Sequence, residues 1–245
     1  TMEMAEECIA ERIDANLLNT PLDELEIMPR DVYHKKMNRV KETTKGKLIV
    51  KEYPTSSAGS ANFRHLLNEL KLKRNFKPDI VYIDYLNICA SSRIKNGGNV
   101  NSYTYIKAIA EELRGLAVEF DVPIWSATQT TRSGFSNSDL GLEDTSESFG
   151  LPATADFMIA LISTEELQQL NQILVKQLKN RYADPSNNRK FVIGVDRAKM
   201  KLYDVEQSAQ DDIIDEDKPA FDSTDSGKRM GQDRKFNKDK FKGFN

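Results

Sequence analysis

The residues best suited to chemistry in this chain stand at the ends of two short apolar runs. Residues 80–83 (Ile-Val-Tyr-Ile) are followed by the carboxylate of Asp84, and residues 123–128 lead to the amide of Gln129. Each run is typical of a strand that helices cover on both faces. Because ligands of such sheets bind at the carboxyl ends of the strands, Asp84 and Gln129 would face one ligand. A carboxylate can hold Mg²⁺ and an amide can contact a phosphate oxygen, which predicts a nucleoside triphosphate.

Taken singly, each candidate residue also has a plain structural interpretation. Asp84 suits the second nucleotide motif of an ATPase, where a carboxylate fixes magnesium, but an Asp that caps a strand end is equally common. Glu3 either favours a helix start through the helix dipole or reaches the Asp84 edge and activates water. Lys179 and Arg181 end an extended run. They are either solvated or presented to the γ-phosphate of a neighbouring subunit.

Length and composition indicate one large domain or two small ones. The chain has 245 residues, of which 39% are hydrophobic and 30% charged, and no apolar stretch approaches the length of a membrane span. We therefore expect a cytoplasmic protein. Cys8 and Cys89 lie in apolar segments and are predicted to be reduced core residues. The net charge of −3 averages an acidic block at 211–217 and a basic block at 228–242, so it decides nothing about nucleic acid.

Hydrophobic periodicity predicts strands separated by helices, followed by hairpins. The strongest helical pattern runs from Ile106 to Phe120, with Glu111, Glu112 and Arg114 between its apolar positions. Residues 1–206 are predicted to form one domain, and residues 207–245, which lack periodicity, a disordered acidic-then-basic tail. The predicted helices cover 3–18, 30–45 and 61–74 besides the one above, and the predicted strands cover 48–53, 80–84, 123–129, 156–162, 173–179, 190–195 and 199–205.

Four segments occur in an order and spacing that resemble a known family. They are Thr-Met-Glu-Met at 1–4, Val-Tyr-Ile-Asp-Tyr-Leu at 81–86, Ser-Ala-Thr-Gln at 126–129 and Lys-Asn-Arg at 179–181. The chain resembles, over about residues 1–206, the RecA-type motor domain of DnaB-like hexameric replicative helicases, above all the primase-associated helicases of T-even phages. The resemblance implies an α/β fold: a RecA-like, mainly parallel sheet flanked by helices, with an antiparallel carboxyl-terminal extension and an incomplete amino end.

The resemblance also implies roles for residues around ATP and Mg²⁺. Glu3 would activate the attacking water, Arg12 would pack against the adenine, and Asp84 would act through magnesium. Gln129 would couple the γ-phosphate to the DNA-binding loops. Lys179 and Arg181 would reach the ATP of the adjacent subunit.

Two loops, 91–99 and 130–148, match the family segments that grip single-stranded DNA. The assignments depend on basic side chains in the loops and on a match to a family segment whose backbone contacts phosphates. Phosphate contacts carry little sequence information. The residues concerned are Arg93, Lys95, Arg132, Glu147 and Ser148.

One family motif is missing from the sequence. No Gly-x-x-x-x-Gly-Lys-Ser/Thr occurs in the 245 residues. We expect the phosphate loop and the family's amino-terminal domain to lie upstream of Thr1, and the chain alone to be inactive. The tail interleaves Phe236, Phe241 and Phe244 with Lys and Arg, which would stack on bases, dock on a protein or simply solubilise the chain.

The functional hypothesis is a subunit of an ATP-dependent replicative DNA helicase. As a homohexamer it would translocate on single-stranded DNA and unwind the duplex at the fork, with a primase and a helicase loader as partners. One alternative is a non-catalytic RecA-like paralogue of the DNA-binding or recombinase type. Another is a plain ATPase with a protein substrate.

Overall fold

The computed structural model describes residues 1–94, 101–130, 140–142, 150–184, 189–206 and 210. Residues Thr1–Val205 form one structural unit. Of the predicted tail only residue 210 is described, so its disorder stays a prediction. The helices are α1 (Glu6–Leu18), α2 (Leu22–Glu26), α3 (Arg30–Thr43), α4 (Ser60–Arg74), α5 (Ser102–Phe120), α6 (Gly150–Thr154) and α7 (Glu165–Gln169), with a 3₁₀ turn at Leu86–Ile88. The strands are β1 (Val81–Ile83), β2 (Ile124–Ser126), β3 (Phe157–Ile162), β4 (Gln172–Asn180), β5 (Lys190–Asp196) and β6 (Lys201–Asp204).

The strands form a parallel pair and an antiparallel sheet. Helix α5 connects β1 to β2, and these two strands pair in parallel with Ile83 opposite Ser126. Strands β3 to β6 follow one another as antiparallel neighbours in chain order. This α/β architecture with an antiparallel carboxyl-terminal extension confirms the predicted fold class.

The core lies between α5, α4 and one face of the parallel pair. Asn101 caps α5 by accepting a 3.1 Å hydrogen bond from the backbone N–H of Tyr103, which satisfies one otherwise unpaired donor of the first turn. The predicted apolar positions of α5 then turn inward. The buried cluster includes Phe63 and Leu67 of α4, Ile83 of β1, and Ile106, Ile109, Leu113 and Leu116 of α5.

Helices cover only one face of the parallel pair within the described residues. Ile83 is 6% exposed, whereas Tyr82 and its register partner Trp125 are 69% and 43% exposed. The expectation that both faces are covered is therefore wrong for this part of the chain. Alternate side chains of a strand point to opposite faces. The apolar run therefore supplies side chains to one packed face, and those on the other face stay exposed.

Three local predictions need correction. Helix α1 begins at Glu6 and not at residue 3. Residues 48–53 are extended but form no assigned strand, because their described backbone-to-backbone pairing is limited to Thr1. The backbone nitrogen of Thr1 donates to the Lys51 carbonyl (2.9 Å), and its carbonyl accepts from Tyr53 N–H (3.0 Å). Cys8 is exposed on α1, whereas Cys89 is buried as expected, and burial raises the pKa of its thiol to about 12.

Membrane insertion has no candidate helix here. No helix in the described part of the chain combines the length and the apolar character that a bilayer crossing requires.

Candidate nucleotide site

The parallel pair brings two chain segments out of the sheet side by side. Ser126 Oγ donates a 2.8 Å hydrogen bond to the carbonyl of Ile83, the last residue of β1. Beyond the strands, Leu86 N–H donates to the carbonyl of Ala127 at 3.1 Å. The two segments therefore stay paired past the strand ends, and Asp84 and Gln129 lie at the same edge.

Side chains extend this pairing to the end of the second segment. Gln129 Nε2 donates a 3.1 Å hydrogen bond to the Tyr85 hydroxyl, and Thr128 Oγ1 donates to Asn87 Oδ1 at 2.9 Å. Gln129 is thus held beside the residue that follows Asp84. Both Asp84 and Gln129 are exposed, so a ligand at this edge can reach them.

The amino-terminal residues meet the same edge. Met2, which is 3% exposed, donates its backbone N–H to the Asp84 carbonyl at 3.0 Å. Glu3 follows it in a bend before α1 and is exposed. Two carboxylates, those of Glu3 and Asp84, therefore stand on adjacent segments. Arg12 lies on the exposed side of α1, two turns further along the chain.

The chemistry of Asp84 fits a magnesium ion shared with phosphate. Its side chain has no hydrogen bond or ion pair to any other residue that the structure describes. Within those same residues no three His, Cys, Asp or Glu side chains gather around one point. Magnesium is usually bound by one or two carboxylates together with waters and substrate phosphates, and a single free carboxylate at a sheet edge suits that mode.

A basic cluster lies at the start of β3 and the end of β4. Arg181 Nη1 forms an ion pair with Asp156 Oδ1 at 2.9 Å, and its Nη2 donates to the Ala153 carbonyl at 2.8 Å. Lys179 Nζ donates to the Pro152 carbonyl. Burial, and next the charge of Arg181, lowers the pKa of Lys179. The structure thus brings Lys179 and Arg181 together at one corner of the antiparallel sheet.

The root of the first predicted DNA-binding loop is held by two consecutive carboxylates of α5. Glu112, 7% exposed, accepts hydrogen bonds from the hydroxyls of Ser60, Ser91 and Ser92 and from backbone N–H groups of Ser92 and Arg93. Burial opposes its ionisation, but these bonds lower the pKa of Glu112 to about 2. Glu111 instead pairs with Arg93 Nη1 at 3.0 Å, on the surface.

The other predicted DNA-contact residues cannot be compared with the structure. Lys95, Arg132, Glu147 and Ser148 lie outside the described residues. Of that set only Arg93 is described, and its partner is a carboxylate of the same chain.

A cleft of about 950 Å³ separates β2 from β3. Its walls are mainly apolar side chains of the two strands, and Trp125 meets Phe157 edge to face across it, with ring centroids 5.9 Å apart. Gln129 and Asp156 also line the cleft. The cleft thus reaches Gln129 of the sheet edge and Asp156 of the basic cluster, whereas Asp84, Lys179 and Arg181 do not line it.

Sequence reasoning missed three residues that organise these sites, namely Glu112, Asp156 and Arg114. The pattern of α5 assigns Glu112 to the polar side of the helix, but it lies three residues after Ile109 and four before Leu116, on the buried face. A charged residue at an apolar helical position signals a buried partner. No local pattern marks Asp156 and Arg114, because they are 42 positions apart.

Solved structures define the class of this fold. A DnaB-like replicative helicase, solved in a study of its interactions with primase, superposes with a TM-score of 0.65 at 18% identity, covering 83% of this chain and 49% of that one. A second solved structure, an isolated ATPase domain, gives a TM-score of 0.64 at 17% identity, covering 83% of this chain and 72% of that one. This chain thus shares its fold with the two solved structures.

Sequence comparisons then identify the family. The model of the DnaB-like helicase C terminal domain matches residues 1–198, and the chain belongs to this family. It is 48% identical over 219 residues to the DnaB-like replicative helicase of Enterobacteria phage T4, covering 88% of this chain and 46% of that protein. A probable plasmid replicative DNA helicase of Chlamydia psittaci is 29% identical over 192 residues, covering 74% of this chain and 40% of that protein. The predicted family is confirmed, and the chain spans less than half the length of these curated relatives.

Proposed function

We propose that the full-length protein is an ATP-driven replicative DNA helicase. As a homohexameric ring it translocates on single-stranded DNA and unwinds the duplex at the fork. The proposal is supported by the pairing that brings the chain segments of Glu3, Asp84 and Gln129 side by side at one sheet edge, in a chain of the DnaB-like family. That family match also favours a helicase over the recombinase-type paralogue.

ATP and Mg²⁺ are the proposed cofactors. Asp84 would hold the magnesium ion, which would supply positive charge to the phosphates; Glu3 would orient and deprotonate the attacking water, and Gln129 would contact the γ-phosphate. Arg12 packs against the adenine. Since the 245 residues contain no Gly-x-x-x-x-Gly-Lys-Ser/Thr motif, this chain by itself is expected not to hydrolyse ATP.

The remaining roles depend on assembly. Lys179 and Arg181 reach the ATP bound by the adjacent subunit, where a cation stabilises charge that develops on the transferred phosphoryl group. Arg93, with Lys95, Arg132, Glu147 and Ser148, meets the phosphates of single-stranded DNA. The solved DnaB-like relative was studied with primase, and we propose a primase and a helicase loader as partners, working in the cytoplasm.

Substitution of Glu3 tests the chemical part of the proposal. In the full-length protein Glu3→Gln keeps nucleotide binding and loses turnover by about 10²- to 10⁴-fold, because the amide cannot accept the proton of the attacking water. ATPase rates and nucleotide affinity are measured on the same preparation. Glu7→Gln, on an exposed position of α1, is the matched control and keeps both. Equal loss of binding and turnover in Glu3→Gln would make Glu3 structural.

A further inference from the structure

Asp156 and Arg181 are joined by the backbone before their side chains meet. Asp156 precedes β3, Arg181 follows β4, and the first residue of β3, Phe157, pairs with the last residue of β4, Asn180. Arg181 N–H then donates to the Asp156 carbonyl at 3.0 Å, which extends the ladder by one step. The two side chains therefore leave neighbouring strands at a fixed separation, and their ion pair needs no further adjustment of the backbone.

The guanidinium of Arg181 is fixed at two points. Nη1 lies 2.9 Å from Asp156 Oδ1 and Nη2 lies 2.8 Å from the Ala153 carbonyl at the end of α6. Two hydrogen bonds to a planar fork fix its orientation as well as its position. The side chain of Arg181 is nevertheless 44% exposed, so part of the guanidinium faces outward.

The same carboxylate ties this corner to the core helix. Arg114 of α5 donates from Nη1 to Asp156 Oδ2 at 2.6 Å and to the Thr154 carbonyl at 2.8 Å. Asp156 thus uses one oxygen for Arg181 and the other for Arg114. Since α5 packs in the hydrophobic core, Arg114 gives the carboxylate a rigid support.

Positive charge exceeds negative charge in the cluster. Lys179, Arg181 and Arg114 donate in turn to the carbonyls of Pro152, Ala153 and Thr154, the last residues of α6 and so the negative end of a helix. Burial works against the ionised form of Asp156, but Arg114 and then Arg181 keep the pKa of Asp156 below its ordinary value. Asp156 is the one carboxylate paired with these cations among the described residues. The cluster therefore orients Arg181 without cancelling the attraction of its surface for an anion.

We propose that Asp156 is a positioning residue for Arg181, holding the guanidinium at the angle that meets the triphosphate of the adjacent subunit. The inference rests on the proposed function, because it requires Arg181 to act across a subunit interface. It adds a residue that does not touch the nucleotide and works only through Arg181. Arg114 is the support that keeps Asp156 in place.

The test is a double-mutant cycle on turnover in the full-length helicase. Arg181→Ala lowers kcat by at least about 100-fold, because the cation is lost from the transition state. Asp156→Asn lowers kcat by about 10-fold, because a misdirected guanidinium retains part of the effect, and leaves the KM for ATP within about twofold. The double variant has the kcat of Arg181→Ala alone, because Asp156 has no other route to the reaction.

Mixed rings supply the readout that a purely structural residue would not move. Subunits carrying Asp156→Asn, added to wild-type subunits, depress activity more than dilution requires, as Arg181→Ala subunits do. Asp156→Glu is the second variant: it keeps the charge and moves the carboxylate outward by one methylene, so kcat falls even if Asp156→Asn fails to form rings. Glu119→Gln, which removes the partner of Arg64 on the surface, is the matched control with wild-type turnover.

The possible failures are distinguishable. If Arg181→Ala loses turnover while Asp156→Asn and Asp156→Glu keep it, the inference is overturned and the proposed function stands. If the double variant is much slower than Arg181→Ala, Asp156 acts by another route and the inference is again overturned. If Arg181→Ala keeps full turnover, the proposed action across the interface and the inference fall together.

Discussion

Two aspartates of this chain, Asp84 and Asp156, occupy opposite electrostatic situations. Asp84 follows β1, is exposed and has no side-chain partner among the described residues. Asp156 precedes β3 and binds Arg114 and Arg181 with its two carboxylate oxygens. One carboxylate has its charge available for a ligand, and the other uses its charge on protein cations. A carboxylate at a sheet edge is therefore informative about function only when its partners are known.

The means of positioning differs in the same way. The backbone positions Asp84, through the parallel register of β1 and β2 and the hydrogen bond from Met2 to its carbonyl. Side chains on α5 and β4 position the Asp156 carboxylate. Substitution at Asp84 should consequently change chemistry and leave the fold intact. Substitution of a carboxylate that accepts several hydrogen bonds should lower the stability of the fold as well.

Within this comparison, the largest expected effect is at Asp84. Asp84→Asn in the full-length protein lowers magnesium-dependent ATPase turnover by at least about 100-fold, because a neutral amide is a poor magnesium ligand. The free energy of unfolding stays within about 0.5 kcal/mol of the wild-type value, as for a surface substitution. Steady-state ATPase rates across a magnesium titration and urea unfolding measure the two quantities.

Asp79→Asn is the control for this variant. Asp79 is exposed and precedes β1 at its other end, so its replacement keeps both turnover and stability. If Asp84→Asn lowered the free energy of unfolding by as much as it raised the activation free energy of turnover, the contrast between the two aspartates would be lost.

The second expected effect concerns Glu112, which resembles Asp156 because both of its carboxylate oxygens accept hydrogen bonds from protein groups. Glu112→Gln lowers the free energy of unfolding by about 2 kcal/mol at pH 7, because a buried carboxylate loses charge-assisted bonds to serine hydroxyls and backbone N–H groups. The folded-state pKa of about 2 lies below the ordinary value of 4.5. The stabilisation is therefore complete above about pH 4.5 and is lost as the pH falls toward 2.

Unfolding curves of wild type and Glu112→Gln, recorded from pH 7 down to pH 3, measure this dependence. The difference between the two proteins narrows on acidification. Glu119→Gln, at an exposed ion pair with Arg64, changes stability by less than about 1 kcal/mol at any pH. A difference between wild type and Glu112→Gln that is independent of pH would contradict the assignment of the bonds to the ionised form.

The smallest expected effect is at Glu111, the exposed neighbour of Glu112. Glu111→Gln releases Arg93 from its 3.0 Å ion pair, and we expect the affinity of the full-length protein for single-stranded DNA to rise by about two- to fivefold. The size follows from the worth of an exposed pair, at most about 1 kcal/mol. Fluorescence anisotropy with a labelled oligonucleotide at several salt concentrations measures it.

A matched substitution separates this effect from overall charge. Glu119→Gln removes the same negative charge from α5 without freeing Arg93, and it leaves the affinity nearly unchanged. If both variants show the same gain in DNA affinity, the gain comes from net charge and Arg93 has no specific role.

The sequence was informative wherever the backbone does the positioning. The Asp84 and Gln129 edge follows from two short apolar runs and the rule that parallel strands end together. The partners of Asp156 and Glu112 were not predictable, because they come from segments 19 to 52 residues away that only the folded chain brings together. Residues 48–53 show the reverse error, since a strand-like pattern does not supply a partner strand.

The cleft between β2 and β3 contains Trp125, the only tryptophan in the 245 residues. Its indole is 43% exposed, touches Phe157 and stands four positions before Gln129. Any nucleotide or polypeptide that covers this side of the strand will exclude water from the indole and shift the tryptophan fluorescence to shorter wavelength. The chain thus carries an intrinsic fluorescent reporter beside its candidate ligand edge, readable without a label.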